Sequence, residues 1–152
     1  MGLKHHQFGN VTANLWHGDV TPAEIQLSVE KARAARQMHG LLTGISIVGR
    51  DLKFPSPEVR ACMIDRRKTM LDFHRSMHMV IPKGQFVAMR IAMFIVEYLT
   101  LGTSSEVAHH KSVHEALREG ERIRRETPGL PGFSTPDKEI IAQLERLKIP
   151  LD

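Results

Sequence analysis

The fold is decided by residues 40–60, which read GLLTGISIVGRDLKFPSPEVR. The run Leu41–Val48 is short, apolar and rich in β-branched residues, which predicts a buried strand. Gly49–Phe54 follows it as a loop. Ser56 then precedes Pro57, and this pair is typical of a helix start because a serine oxygen caps free backbone amides and proline suits the first turn. The stretch therefore predicts a strand, a loop and a capped helix that continues to Arg75.

Two strands and a helix precede this stretch. Lys4–Phe8 and Val11–His17 predict short strands, and the Gly-Asn pair at residues 9–10 suits the tight turn of a hairpin. The segment at residues 21–24, TPAE, combines a cap, a proline and the glutamate of a capping box, so a helix begins there. Gly40 ends that helix because glycine readily takes the left-handed conformation found just after helices.

Strands and helices keep alternating after residue 75. Met77–Ile81 predicts a strand, Phe86–Leu101 a helix, and Ser105–His110 a short polar strand. A second capping box at Ser112 opens a helix that ends near Glu126. Strands that alternate with helices indicate an α/β protein. The predicted fold is a mixed sheet of about five strands, in which an N-terminal hairpin is followed by alternating helices and strands.

Shifts in composition divide the chain into three parts. Residues 1–126 form the predicted α/β domain, and residues 127–135 are rich in proline and glycine, which predicts a linker. Residues 136–152 hold an extra C-terminal amphipathic helix and a tail. The apolar side of that helix consists of Ile140, Ile141, Leu144 and Leu147.

This order of elements resembles the STAS domain of anti-sigma-factor antagonists. The resemblance covers about Lys4–Glu126 and rests on the hairpin and on the strand, loop and capped helix at Leu41–Arg75. It implies a signalling module in which a partner kinase phosphorylates a serine or threonine at the start of the second helix and so controls protein binding. Ser56 stands at the matching place. The family's Asp-Ser-Ser/Thr-Gly is replaced by Phe-Pro-Ser-Pro-Glu at residues 54–58, so the phosphorylation motif is divergent.

Ser56 has two interpretations. As a phospho-acceptor, it would place a phosphate at the free amides and positive dipole of a helix N-terminus. As a helix cap, its side chain would satisfy one backbone amide. A partner-binding surface around the same helix start is implied by the resemblance under either interpretation. The residues predicted for that surface are Phe54, Arg60 and Arg67.

The third helix, Phe86–Leu101, is apolar on nearly every side. Only Arg90 and Glu97, one heptad apart, mark a narrow polar stripe. A helix of this kind needs more than one covering surface, because a sheet covers only one side of it. The surface left over includes Met89, Met93 and Val96. Three covers are open: the C-terminal helix, a second copy of the chain, or a small molecule in an apolar cavity.

No arrangement typical of an enzyme or a metal site stands out. Cys62 is the single cysteine, and its place on the apolar side of the second helix favours a core role. Nine histidines are present, but His109, His110 and His114 straddle a predicted strand–helix boundary, which indicates surface residues. Arginines of the fourth helix, Arg124 among them, alternate with glutamates, which predicts a solvated face. We therefore expect no catalytic residue, no metal and no cofactor.

The bulk composition fits a protein that works by contact. Hydrophobic residues make up 41% of the chain, charged residues 25%, and the net charge is +4. So small a charge does not favour nucleic acid as a partner. Because no signal pattern and no membrane-length apolar run is present, we expect a cytoplasmic protein. We predict a non-enzymatic regulatory or scaffold module that binds a protein partner and forms a homodimer. The alternative is a small-molecule sensor or carrier with an apolar cavity near the third helix.

Overall fold

The computed structural model describes residues 2–81, 83–84, 86–100 and 107–151. These residues form an α/β protein with a five-stranded mixed sheet, which confirms the predicted fold class. The strands are β1 (Leu3–Phe8), β2 (Val11–Trp16), β3 (Leu42–Val48), β4 (His74–Val80) and β5 (Val107–His110). The helices are α1 (Pro22–His39), α2 (Pro57–Phe73), α3 (Phe86–Thr100), α4 (Val113–Glu126) and α5 (Asp137–Arg146).

The strands lie in the sheet in chain order, from β1 to β5. β1 and β2 form the antiparallel hairpin, in which Leu3 lies opposite Trp16. All other neighbouring strands are parallel, and each is reached through a helix, as parallel pairing requires. Gly9 in the hairpin turn has φ +59°, a left-handed conformation that glycine adopts without a steric penalty. The hairpin therefore supplies one edge of the sheet and β5 the other.

The first three helices cover one face of the sheet. A core cluster on this face joins Ile25 of α1, Met63 of α2 and Ile95 of α3 to Met79 of β4. All four side chains are buried, so their apolar area is removed from water, which contributes about 25 cal/mol for each square ångström. This cluster fixes the inner side of α3.

The last two helices cover the opposite face. Leu117 of α4 and Ile140 and Leu144 of α5 form a second cluster with Val80 of β4, and each of these side chains is at most 2% exposed. The C-terminal helix is thus part of the core formed with the sheet. It does not cover α3, which lies on the other side of the sheet, so this one of the three predicted covers is wrong.

The segment predicted as a linker is fastened to the N-terminal hairpin. The Asn10 amide donates to Ser134 Oγ at 3.0 Å, and the Ser134 amide donates to Asn10 Oδ1 at 3.1 Å. Asn10 Nδ2 also donates to the Gly132 carbonyl at 2.9 Å. Phe133 packs against the second core cluster. Residues 127–135 therefore follow a defined path across the molecule from α4 to α5.

The predicted capping residues make the expected contacts at two helix starts. Thr21 Oγ1 accepts from the Glu24 amide, and the Glu24 carboxylate accepts from the Thr21 amide, which completes the capping box of α1. Ser112 Oγ accepts from the Glu115 amide at the start of α4. Glu115 Oε2, however, accepts from the amide of Lys111, one residue before the cap. These local signals place both helices because they act within a single turn.

β4 starts three residues earlier than predicted. The observed strand is His74–Val80, and α2 passes into it without a loop. The buried His74 ring ends the helix, since its Nδ1 donates to the Met70 carbonyl at 2.6 Å and so satisfies one of the last carbonyls of α2. The predicted end of the third helix at Leu101 and the predicted start of the fifth strand at Ser105 lie outside the described residues.

Candidate functional site

The loop before α2 meets α3 through two aromatic rings. The ring centroids of Phe54 and Phe94 are 4.4 Å apart, with the ring planes tilted by 46°. The Arg60 guanidinium carbon lies 5.7 Å from the Phe54 centroid, within cation–π range. Phe54 nevertheless remains 52% exposed. Two of the three residues predicted for a partner-binding surface are therefore brought together beside α3.

The Arg67 side chain forms a hydrogen bond within its own helix, α2. It lies one heptad beyond Arg60 on α2, which places both on the same side of the helix. Its Nη1 donates to the Ile64 carbonyl at 3.1 Å. The aromatic pair and Arg60 thus form the centre of this surface, and Arg67 lies further along α2.

Ser56 is the N-cap of α2. Its Oγ accepts a hydrogen bond from the Val59 amide at 3.2 Å, with an extended backbone at φ −63° and ψ 161°. The nearby cation Lys53 pairs with Asp19, its Nζ lying 3.0 Å from Oδ2. Ser56 therefore makes the hydrogen bond expected of a helix cap. Phosphorylation of this exposed residue stays a prediction.

α3 buries one side and exposes the other. Its buried side consists of Ala88, Ile91, Ala92 and Ile95. Val96 is half buried and packs against the same cluster. The opposite side exposes four large apolar side chains: Phe86 by 66%, Val87 by 68%, Met89 by 43% and Met93 by 46%. We call the surface formed by Phe86, Met89, Arg90, Met93 and Glu97 the α3 face.

The α3 face is an open, nearly flat surface, and Phe94 and Val96 lie at its border. A small, partly open apolar space does exist elsewhere, under α1 and α2, where Trp16, Ile25 and Met63 are among its walls. Its volume of about 40 Å³ has room for one or two water molecules. Ligand pockets typically measure upward of about 300 Å³. The space is therefore too small for an organic ligand, and it does not lie near α3.

Beneath α4, three polar side chains form a chain of hydrogen bonds that the sequence analysis missed. Ser76 Oγ and His78 Nε2 are 2.8 Å apart, and His78 Nδ1 and His110 Nε2 are also 2.8 Å apart. His78 is only 1% exposed, while His110, treated above as a surface residue, is half buried at the sheet edge. A cavity of about 540 Å³ adjoins this chain, with Ser76, His78 and Glu119 among its lining.

Both ring nitrogens of His78 are occupied. A neutral imidazole has one N–H and one lone pair, and here one serves Ser76 and the other His110. Burial, with the neighbouring His110 charge adding to it and Glu119 opposing it, lowers the pKa of His78 to about 4. His78 is therefore neutral near neutral pH. Its Nδ1 links β4 to His110 of β5, its Nε2 bonds Ser76 on its own strand, and neither nitrogen is free to bind a ligand. Ser76 and His78 lie two residues apart on β4 and so share one strand face, and this spacing was the available signal for the buried chain.

Arg124 is completely buried, which contradicts the prediction of a solvated face for it. Its Nε donates to the Pro131 carbonyl at 2.8 Å, and its Nη1 donates to the Leu41 carbonyl at 2.7 Å. The other arginines of α4 do face outward; Arg125, for example, pairs with Glu121 at 2.6 Å. Arg124 differs because it lies on the side of α4 that packs on the sheet, where two carbonyls accept hydrogen bonds from its guanidinium. It has a structural role, joining β3, α4 and the segment that follows.

Two properties of the described residues bear on other classes of function. Among them, no three His, Cys, Asp or Glu side chains come together in a way that would hold a metal ion. Within the same part of the chain, no helix has both the length and the apolar character needed to cross a membrane.

A scan against protein-family models, a search of curated proteins and a search of solved structures each found no match for this chain. The resemblance to STAS domains therefore stays a prediction, and the geometry of the α3 face is the strongest indication of what the chain does.

Proposed function

We propose that this chain is a non-enzymatic regulatory or scaffold module that binds another protein surface through the α3 face and the adjoining Phe54 loop. Its place of action would be the cytoplasm. The observation that carries the proposal is the exposure of Phe86, Met89 and Met93 together on the α3 face. Several large apolar side chains exposed on one surface often mark an interaction site, because leaving them in water is unfavourable.

The chemistry of the surface supports a protein partner. Aromatic residues, methionine and arginine are enriched in protein interfaces, and this surface combines Phe86, Met93 and the Phe54–Arg60 pair. Methionine side chains are flexible and adapt to varied partner surfaces. The predicted STAS-like role, in which contacts around the start of the second helix carry a signal, is consistent with this place on the molecule. Ser56 lies one turn from Arg60 and is proposed to tune the same surface if it is phosphorylated.

The test is photo-crosslinking from single positions in cells that express the chain. A benzophenone amino acid replaces Met93 on the α3 face, or Glu145 on the exposed side of α5 as a matched control. We expect a defined crosslinked protein from position 93, and none from position 145. Its yield should fall when Phe54→Asp is added, because that change places a charge in the same surface. Equal yields from both positions, or no adduct from position 93, would rule the proposal out.

A further inference from the structure

The α3 face carries two opposite charges at a regular spacing. Arg90 and Glu97 lie one heptad apart, so they project from the same side of the helix, about 10.5 Å from each other along its axis. Among the described residues neither one forms an ion pair, and the Arg90 guanidinium carbon lies 5.9 Å from the Phe86 ring centroid. Met93 lies between the two charges and is 46% exposed.

The charges of Arg90 and Glu97 complement those of a second copy of α3 when the two helices are related by a two-fold axis that makes them antiparallel. If two copies of α3 pack antiparallel about a two-fold axis between Met93 and Phe94, Arg90 comes opposite the partner subunit's Glu97, and the same contact forms again on the other side of the axis. A parallel pair would instead set Arg90 against the partner's Arg90. Two-fold symmetric dimers are the commonest soluble assemblies, and they use the same patch on both subunits.

We infer that the occupant of the α3 face is a second copy of this chain, packed antiparallel about that axis. The inference rests on the proposed function and names its partner. The apolar side chains fit this arrangement, because Met93 lies at the axis and Met89 and Phe86 follow toward the helix start. An unrelated partner helix would need apolar residues for this face, but it would give no reason for opposite charges placed symmetrically about the midpoint between Met93 and Phe94.

Light scattering on three charge variants tests the pairing. The wild-type chain should have twice the 17.2 kDa mass of one chain. Arg90→Glu and Glu97→Arg each place like charges opposite one another twice, and each should raise the dissociation constant of the dimer by about tenfold, given the usual size of surface charge pairs. The two single variants mixed together, and the double variant with both changes, should each recover wild-type association because opposite charges again face one another.

The matched control uses the other face of the molecule. Lys138→Glu and Glu145→Arg on α5 make the same charge changes at the same heptad spacing, on exposed residues. They should leave the dissociation constant of the dimer unchanged. If the α5 variants weaken the dimer as much as the α3 variants do, net charge is the cause and the inferred pairing is wrong.

Disulfide formation tests the antiparallel direction. In a Cys62→Ser background, Met93→Cys lies beside the axis and should crosslink two chains on oxidation. Phe86→Cys lies about 11 Å from the axis along the helix, so its two copies would be about 22 Å apart and should stay reduced. Crosslinking at both positions would indicate a parallel pair and overturn the inference.

The two proposals fail in distinguishable ways. A monomeric wild-type chain, or a dimer unaffected by the single charge variants, would overturn the inferred dimer. If position 93 then still crosslinks to a different protein in cells, the proposed function stands with another occupant. If position 93 forms no crosslink, both the inferred dimer and the proposed function are wrong.

Discussion

At the scale of single residues, two buried polar side chains have hydrogen-bond partners that the local sequence pattern could not identify. His78 and Arg124 sit among the largest fully buried side chains of the protein. Their partners come from far along the chain: His110 lies 32 residues from His78, and Leu41 lies 83 residues from Arg124. A local pattern predicts polar side chains at the surface, because only the tertiary fold supplies hydrogen bonds that make their burial tolerable.

The buried histidines predict a loss of stability in mild acid. Burial is the main cause that lowers the pKa of both His74 and His78 to about 4 from an ordinary value of 6.5. Between these values the unfolded chain binds protons that the folded chain does not, so acidification favours unfolding. We expect the free energy of unfolding to fall by roughly 1.4 kcal/mol for each histidine and each pH unit. Above about pH 6.5 these two residues add no pH dependence.

Urea unfolding at several pH values measures this effect. His78→Asn removes one of the two groups, so the dependence on pH between about 4 and 6.5 should become weaker. His114→Asn, on an exposed residue of α4, is the matched control and should change the free energy of unfolding at neutral pH by less than about 1 kcal/mol. A wild-type stability that stays constant over this interval would show that the two rings are not shielded from water in solution.

At the scale of elements, the helix starts were predicted correctly, because the capping contacts that mark them form within one turn. Thr21, Ser56 and Ser112 were predicted as caps, and each accepts the expected amide hydrogen bond. The start of β4 was missed, because nothing local in His74–Ser76 distinguishes a strand from a further turn of helix. The deciding contacts are the parallel pairing with β3, in which Leu42 lies opposite His74. Pairing of that kind is set by distant residues and leaves little mark on the local sequence.

Ser56 offers a direct measure of its cap. Ser56→Ala should lower the free energy of unfolding by about 1 kcal/mol, because the Val59 amide loses its acceptor. Ser56→Asp should cost little, since aspartate is an equally good cap and its charge suits the positive helix end. Chemical denaturation of the three proteins makes the comparison. Equal stability of all three would mean that the hydrogen bond to Val59 contributes nothing in solution.

At the scale of the whole molecule, the apolar pattern identified the surfaces that pack but could not say which surface packs on which. The sequence showed that α3 is too apolar for one cover and that the C-terminal helix has one apolar side. Packing of the C-terminal helix on α3 was one open prediction. It is wrong because α4 lies on the opposite face of the sheet, and α5 packs beside α4 on that same face. The exposed Met89 and Met93 were thus predictable as an uncovered surface, whereas the choice of α5's partner depended on the topology.

Leu144 in α5 and Leu147 directly after it test whether this helix belongs to the core. Leu144 is 1% exposed, and Leu147 is 51% exposed. Leu144→Ala should reduce the free energy of unfolding by about 2–5 kcal/mol, because it leaves a cavity against the sheet. Leu147→Ala should change it by less than about 1 kcal/mol. Similar effects of the two substitutions in thermal or urea unfolding would mean that α5 is a loosely attached tail.

The hydrogen bonds between Asn10 and Ser134 cannot form during synthesis until both residues have been made. The two residues are 124 positions apart. Because ribosomes add about 5–20 residues each second, Ser134 is synthesised roughly 6–25 seconds after Asn10. During that time the hairpin turn and the inner side of β1 and β2 lack the segment that covers them in the finished protein. A nascent chain of this design is therefore exposed to aggregation until its last residues emerge, and slower translation of the C-terminal third would lengthen that period.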